Sequence, residues 1–422
     1  MSSGRRRTAA GAPTEAASAT VAAKAQPDAD AAPHTAYANV ALVLQGGGAL
    51  GSYQAGVLEG LSEAGIVPNW VAGISIGALN AAVIAGNPPE RRVEQLLAFW
   101  EHICRQPWLP ALPYAALTDH LELLPDSVRR MLSQIETTRT VFEGQNGFFV
   151  PRPPALLTDP QGSPATASYY DTAPLRETLL RFADFERINR ADEMRVSVGA
   201  VQVRTGNFVY FDNTRHTLRP EHFMASGALP PGFPAVEVDG EFYWDGGLVS
   251  NTPLLHVLMS EPRRDTLVFQ VDLWSARGDL PTTLPEVAER QKDIQFSSRT
   301  RMVTDMMHAQ QIQRRRLSEV LALVPPSKRD DPAAKRAAEL ACDRRCNVVQ
   351  LVYRDKPYEG DAKDYEFGQL TLRDHWNSGL ADMRHTLQHP QWLAMPSQER
   401  PFVTHDVHRL RTAPRKADKT PG

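Results

Sequence analysis

The chain has 422 residues, 42% hydrophobic and 23% charged, the composition of a globular, soluble protein with room for one large core or a main domain plus a smaller one. Its 46 Lys and Arg against 49 Asp and Glu leave a net charge of −3, which excludes the basic footprint of a nucleic-acid-binding protein. Only 3 Cys occur, which excludes a disulfide framework and fits a reducing, cytoplasmic compartment.

Residues 1–37 open on Arg5, Arg6 and Arg7 and continue in Ala, Thr, Ser and Pro. No apolar segment follows the arginines, so no secretory signal is expected and the stretch reads as a disordered tail. Asn39–Leu44 is a continuous apolar run, as expected of a strand buried on both faces. Gly46-Gly47-Gly48-Ala49-Leu50-Gly51 follows, and 52–64 then reads as a helix with Tyr53, Val57, Leu58 and Leu61 on its apolar face. Trp70–Gly73 reads as a second strand running into Ser75, and Ile76–Ala85 as a second helix. The stretch 64–89 carries no charged residue and has the length to cross a bilayer. Pro68, Asn69, Gly73, Ser75, Gly77 and Asn80 break it into strand, turn and helix, so no transmembrane helix is expected. Strand, Gly-rich turn and helix, repeated twice, predict an α/β domain with a parallel sheet.

Residues 107–167 are rich in Pro and read as an insertion or cap with one helix over 127–137. Its Trp108, Leu109, Tyr114, Phe148 and Phe149 are expected in the core of that cap, with an acyl channel as the alternative. The apolar runs 195–203 and 207–211 flank Arg204-Thr205-Gly206 as in a hairpin, and 267–271 reads as a further core strand. Beyond 285 the chain turns charged and helical. Arg314, Arg315 and Arg316 are expected on a solvated helix face rather than against anionic lipid. A strand over 347–353 and a helix over 370–387 follow, and 401–422 reads as a polar tail. Cys342 and Cys346 have no second Cys/His pair at a metal-binding spacing, so no metal site is expected.

Three motifs carry chemistry. In Gly73-Ile74-Ser75-Ile76-Gly77 the serine sits between a strand and a helix. A nucleophilic serine needs such a sharp turn with small neighbours, and the following helix N-terminus favours negative charge nearby. Alone, a serine there is more often a helix cap. The loop Gly46 to Gly51 can turn several backbone N–H groups towards one point, which for acyl transfer is an oxyanion hole. Gly46, Gly48 and Gly51 also satisfy G-x-G-x-x-G, so a dinucleotide or nucleotide site competes. That site needs an acid at the end of the second strand, whereas the nearest acid, Glu63, falls inside the first helix. Asp245-Gly246-Gly247 follows the apolar run 242–244; alone it is more often a turn, and it gains meaning as a partner to Ser75. A triad using His256 or His375 is the rival within catalysis, although His256 is expected to be a satisfied helix histidine.

Taken together and in this order, the three motifs resemble those of the patatin-like phospholipase family over about residues 40–275, as does Ala225-Ser226-Gly227-Ala228-Leu229-Pro230 with Phe233-Pro234. The resemblance implies a three-layer α/β hydrolase with a mainly parallel central sheet over 38–285. It also implies a mainly helical C-terminal extension over 286–400, containing Lys363-Asp364-Tyr365-Glu366-Phe367, as in a bacterial subgroup. It implies Ser75 as nucleophile and Asp245 as base of a dyad, with Gly46, Gly47 and Gly48 forming the oxyanion hole. Gly51, Gly73, Gly77, Gly246 and Gly247 would support these motifs, and neither metal nor cofactor is called for. The implied substrate is a carboxylic ester of a lipid, cleaved in the manner of a phospholipase A, lipase or esterase by a cytoplasmic protein peripheral to a membrane surface. One departure is Leu50, where the family often carries a basic residue. Two readings from other classes stay open: nucleotide binding through the glycine loop, and a catalytically idle scaffold.

Overall fold

A computed structural model describes residues 36–104, 125–153, 162–356, 358–360 and 362–407. Most of the N-terminal tail, and Trp108, Leu109 and Tyr114 of the cap, lie outside the described residues. Strand β1 (Asn39–Leu44) leads through the glycine loop into α1 (Ser52–Glu63), then β2 (Trp70–Gly73), α2 (Ile76–Ala85) and α3 (Arg92–Ile103). The cap contributes α4 (Asp126–Glu143) and the short β3 (Val150–Pro151), followed by β4 (Tyr170–Asp171), α5 (Ala173–Phe182) and α6 (Phe185–Ile188). The hairpin β5 (Arg195–Gln202) and β6 (Phe208–Asp212) precedes α7 (Pro220–Ser226), β7 (Val236–Val238), β8 (Glu241–Asp245), α8 (Leu254–Met259) and β9 (Thr266–Asp272). The C-terminal part comprises α9 (Leu284–Phe296), α10 (Thr300–Ala322), α11 (Pro332–Leu340), β10 (Cys346–Val352), α12 (Gln369–Leu387) and β11 (Phe402–Asp406).

Among the described residues nine strands form one sheet in the order β11-β10-β9-β1-β2-β5-β8-β7, with β6 also paired to β5. From β11 to β5 every pairing is parallel, whereas β6, β7 and β8 join antiparallel. The fold is therefore α/β with a mainly parallel sheet. β1 and β9 are buried along nearly their whole length because helices cover both faces, which explains their unbroken apolar sequences. Among the described residues no helix is long and apolar enough to cross a membrane. The uncharged stretch is instead the buried β2, the turn at Ser75 and the wholly buried α2.

The register of β5 positions the site. Residues Trp70–Gly73 of β2 pair with 195–198 of β5, while β6 takes the other edge of β5 over 197–201. Beyond Val198 the edge vacated by β2 is taken by β8, with Asp245 opposite Ala200. The C-terminal ends of β2 and β8 thus meet head-on, two residues (about 7 Å) apart along β5.

The C-terminal part is built into this sheet rather than appended to it. β10 and β11 extend the parallel arrangement beyond β9. Residues 402–406, expected in a polar tail, form an edge strand. Only Phe402 of that strand is buried, so too little apolar alternation marks it in sequence. Helix α12 lies directly on α1. A Cβ built on Gly379 would stand 2.0 Å from the Tyr53 carbonyl oxygen, and one on Gly56 would stand 1.9 Å from that of Trp376. Each helix backbone therefore touches the other through a glycine. Gly379→Ala is expected to lower the urea-unfolding midpoint, corresponding to a loss of about 1–3 kcal/mol from overpacking. Helix propensity alone would give the opposite sign.

Candidate active site

Ser75 occupies the turn between β2 and α2 with φ 54° and ψ −126°, a conformation that a non-glycine residue adopts only under constraint. The constraint is close packing. A Cβ on Gly73 would lie 2.3 Å from the Gly77 carbonyl oxygen, and one on Gly77 would lie 2.4 Å from that of Leu44, so the turn folds only with both glycines. Ser226, fully buried at the end of α7, holds the turn from the other side. The Ser75 N–H donates to the Ser226 Oγ at 3.0 Å and to its carbonyl at 3.1 Å, and the Ser226 hydroxyl donates to the Gly199 carbonyl at 2.6 Å. Ser75 alone is half-buried in a run that is otherwise buried from Trp70 to Ala85, because it faces a cavity.

Asp245, at the end of β8, is 2% exposed. Its carboxylate stands beside the Ser75 hydroxyl, both lining the cavity, and accepts a hydrogen bond at 2.6 Å from the Gly247 N–H. Burial pushes its pKa up to about 7, against the opposing pull of the Ser75 hydroxyl and the Gly247 N–H. A carboxylate of that basicity beside a serine hydroxyl can accept its proton at neutral pH. Gly246 packs on the β5 backbone, where a Cβ would lie 2.7 Å from the Gly199 carbonyl oxygen.

The glycine loop faces the same cavity. Gly48 has φ +55°, and a Cβ there would lie 2.2 Å from the Asp364 carbonyl oxygen. Gly51 packs against Ile76 and Trp100. Among the described residues the N–H groups of Gly47 and Gly48 have no acceptor, and both glycines line the cavity. Gly46, expected to share in this role, instead donates its N–H to the Asn251 carbonyl at 3.3 Å. Its own carbonyl accepts from Asn251 Nδ2 at 3.0 Å and Trp274 Nε1 at 2.9 Å. The Gln45 side chain accepts from the Leu273 and Trp274 N–H groups at 2.6 and 2.9 Å, tying the base of the loop to the end of β9. Leu50 is fully buried in the core.

Aromatic side chains wall the cavity, among them Phe148, Phe149, Phe233, Trp274 and Phe367. Phe148 and Phe149 thus serve both expectations, since they are buried core residues and also line the space in front of Ser75. Residues 363–367 close it from the C-terminal side, with Asp364, Tyr365 and Phe367 in the wall. Two cations hold that segment. Lys292 pairs with Asp364 at 2.9 Å. Lys363, its side chain 1% exposed, is ringed by Asp355, Asp293 and Glu289 at 2.8, 2.9 and 3.4 Å and lies 5.3 Å from the Trp274 ring.

Among the described residues no histidine lines this cavity. His256 stacks on Tyr210 beside Asp212, and His375 is buried against Glu359. Glu63 lies at the far end of α1 from the glycine loop, paired with Arg384, so no acid takes the place a ribose would require. Ser226, Asn251, Trp274, Lys292 and Lys363 had no assigned role in the sequence. The only signal for Ser226 and Lys363 was their place within quoted motifs, Asn251 follows the Asp245 motif closely, and nothing local marks Trp274 or Lys292.

Residues 42–258 match the family model described as patatin-like phospholipase, and residues 294–399 match a second, described as patatin phospholipase. No curated protein matches the chain by sequence. Among solved structures, VipD from Legionella pneumophila is similar at 13% identity, covering 88% of this chain and 72% of that one, with a TM-score of 0.32. Human GIVD cytosolic phospholipase A2 is similar at 12% identity, covering 84% of this chain and 60% of that one, with a TM-score of 0.36.

The raised Asp245 pKa has a consequence for stability. An unfolded aspartate ionises near 4, so Asp245 is neutral in both states below that pH, destabilises the fold progressively as pH rises to about 7, and adds no further cost above it. Asp245→Asn is therefore expected to stabilise the protein at pH 8 by something on the order of 3 kcal/mol in chemical denaturation. The advantage over the parent chain should vanish at pH 4.

Proposed function

Because the chain belongs to the patatin-like phospholipase family, we propose that this lipid acyl hydrolase cleaves carboxylic esters through Ser75 and Asp245 alone. One observation carries the reading: a strained serine that shares a cavity with a buried carboxylate whose pKa is raised to about 7. As Ser75 Oγ attacks the ester carbonyl, its proton passes to Asp245 and the carbonyl oxygen becomes an oxyanion. The Gly47 and Gly48 N–H groups receive that oxyanion, with the N-terminus of α2 adding its dipole. When the tetrahedral adduct collapses, the bond to the leaving alkoxide breaks and Asp245 returns the proton to it. The alcohol departs and the acyl group stays on Ser75. Water then attacks the acyl-enzyme, again losing a proton to Asp245, and the fatty acid leaves as the proton goes back to Ser75 Oγ. The apolar aromatic wall favours an acyl chain over a polar substituent on the carbonyl side.

A fluorophosphonate probe, with the modified residue mapped by mass spectrometry, is expected to label Ser75. Labelling at another serine, or none in the folded protein, would overturn the assignment. Ser75→Ala and Asp245→Asn should each lower kcat/KM on a short-chain ester by roughly 10³-fold or more. Because the base works only when ionised, kcat/KM should climb as pH rises through about 7 and then level off. That profile should survive His256→Asn unchanged, whereas a histidine triad would lose it.

A further inference from the structure

At the end of the sheet opposite Ser75, where β9 and β10 begin at Thr266 and Cys346, lies a second small cavity of about 40 Å³. Five arginines line it: Arg263 and Arg264 from the turn before β9, Arg344 and Arg345 from the turn before β10, and Arg314 from α10. Two carboxylates serve this cluster. Glu261 pairs with Arg263, and Asp265 pairs with Arg345 at 3.6 Å while accepting from its backbone N–H at 2.7 Å. Asp343, between the two turns' residues, is exposed and does not line the cavity.

Three guanidiniums are left over. Among the described residues Arg264, Arg314 and Arg344 have no ion pair and no side-chain hydrogen bond, and Arg314 is only 8% exposed. The Nε atoms of Arg263 and Arg345 are likewise buried without a partner. The arginine run that the sequence puts on a solvated face thus divides. Arg315 pairs with Glu319 at 3.0 Å and Arg316 is exposed, while Arg314 turns inward. Burial, and then the charge of Arg263, lower the Arg314 pKa from its ordinary value, against smaller opposing pulls from Cys342 and Glu261. The cluster is also rigid, because Gln311 Nε2 donates to the carbonyls of Cys342 and Arg344 at 3.3 and 2.6 Å and ties α10 to the turn before β10.

A largely buried arginine with neither an ion pair nor a side-chain hydrogen bond is favoured by an anion that completes the site. We propose that this cavity binds a phosphate group, free or carried on a small molecule or lipid headgroup, with Arg314 as its central ligand and Arg264 and Arg344 at its rim. Planar guanidinium forks converging from three segments suit a tetrahedral oxyanion with several acceptor oxygens, and the excess of three positive charges suits a dianion. The site is independent of the hydrolase reading, since its test involves no hydrolysis.

The test is thermal unfolding and calorimetric titration of the full chain in sodium phosphate against sodium chloride of equal ionic strength. Phosphate is expected to raise the Tm saturably. Arg314→Gln should leave the Tm in chloride unchanged or higher, because it removes an unpaired buried charge, yet raise the half-saturating phosphate concentration roughly tenfold or more. Should that variant not fold, the exposed substitutions Arg264→Gln and Arg344→Gln provide the same reading through a several-fold weaker response. No gain in phosphate over chloride, or variants that respond like the parent chain, would overturn the proposal. Sedimentation with vesicles of phosphatidylcholine alone or with phosphatidic acid separates the sources. Phosphatidic-acid-dependent binding that inorganic phosphate displaces assigns a lipid-borne group, and phosphate binding without vesicle binding assigns a soluble one.

Discussion

The contact between the Ser75 hydroxyl and the Asp245 carboxylate is the constraint on which this structure turns, and strand β5 sets it. β2 stops after four residues, so that β8 can take over the same edge of β5 and deliver Asp245 opposite Ala200. The neighbouring residue, Gly199, fixes both halves of the pair at once. Its carbonyl accepts from the Ser226 hydroxyl that pins Ser75, and its backbone is the surface on which Gly246 packs. A longer β2, or a side chain at Gly246, would separate the two functional residues without touching either.

The arrangement opposes stability in two ways, and the surrounding core holds both. A non-glycine residue at such a backbone conformation costs about 1–3 kcal/mol. A carboxylate that ionises in a buried setting, with the Gly247 N–H and the Ser75 hydroxyl beside it, is disfavoured as well. These costs keep Ser75 open to the cavity and bring the Asp245 carboxyl close to neutral pH, as the proposed proton transfer requires. The tight sites at Gly73 and Gly77 show how the turn is kept from relaxing: the carbonyls of Gly77 and Leu44 leave no space for any other backbone path.

The C-terminal part completes this core. α12 presses its backbone against α1, β10 continues the sheet beside β9, and residues 363–367 form one wall of the cavity in front of Ser75. The carboxylates around Lys363 come from α9 and from the chain after β10, so that wall is fastened at its back by a buried charge cluster. Basic side chains near the glycine loop thus come from Lys292 and Lys363, while position 50 is a buried leucine packed in the core. The two ends of the strands carry different chemistry, an apolar cavity with a serine and a carboxylate at one and converging arginines at the other.

The sequence by itself determined what depends on near neighbours in the chain. The apolar run of β1, the glycines flanking Ser75, the hairpin of β5 and β6 and the helix α12 were all legible, because periodicity and steric freedom are local properties. Phe148 and Phe149 were visible as aromatics but could not be assigned to core or cavity. Only the tertiary structure decided that they are both, that Phe402–Asp406 is an edge strand, and that Gly46 spends its N–H on Asn251. It alone singled out Ser226, which reaches Ser75 across 151 positions, and Lys363, which reaches Asp293 across 70. It also decided how strongly Asp245 holds its proton. That quantity is set by the depth to which other segments bury the carboxylate, and burial is a property of the assembled chain that no stretch of sequence carries on its own.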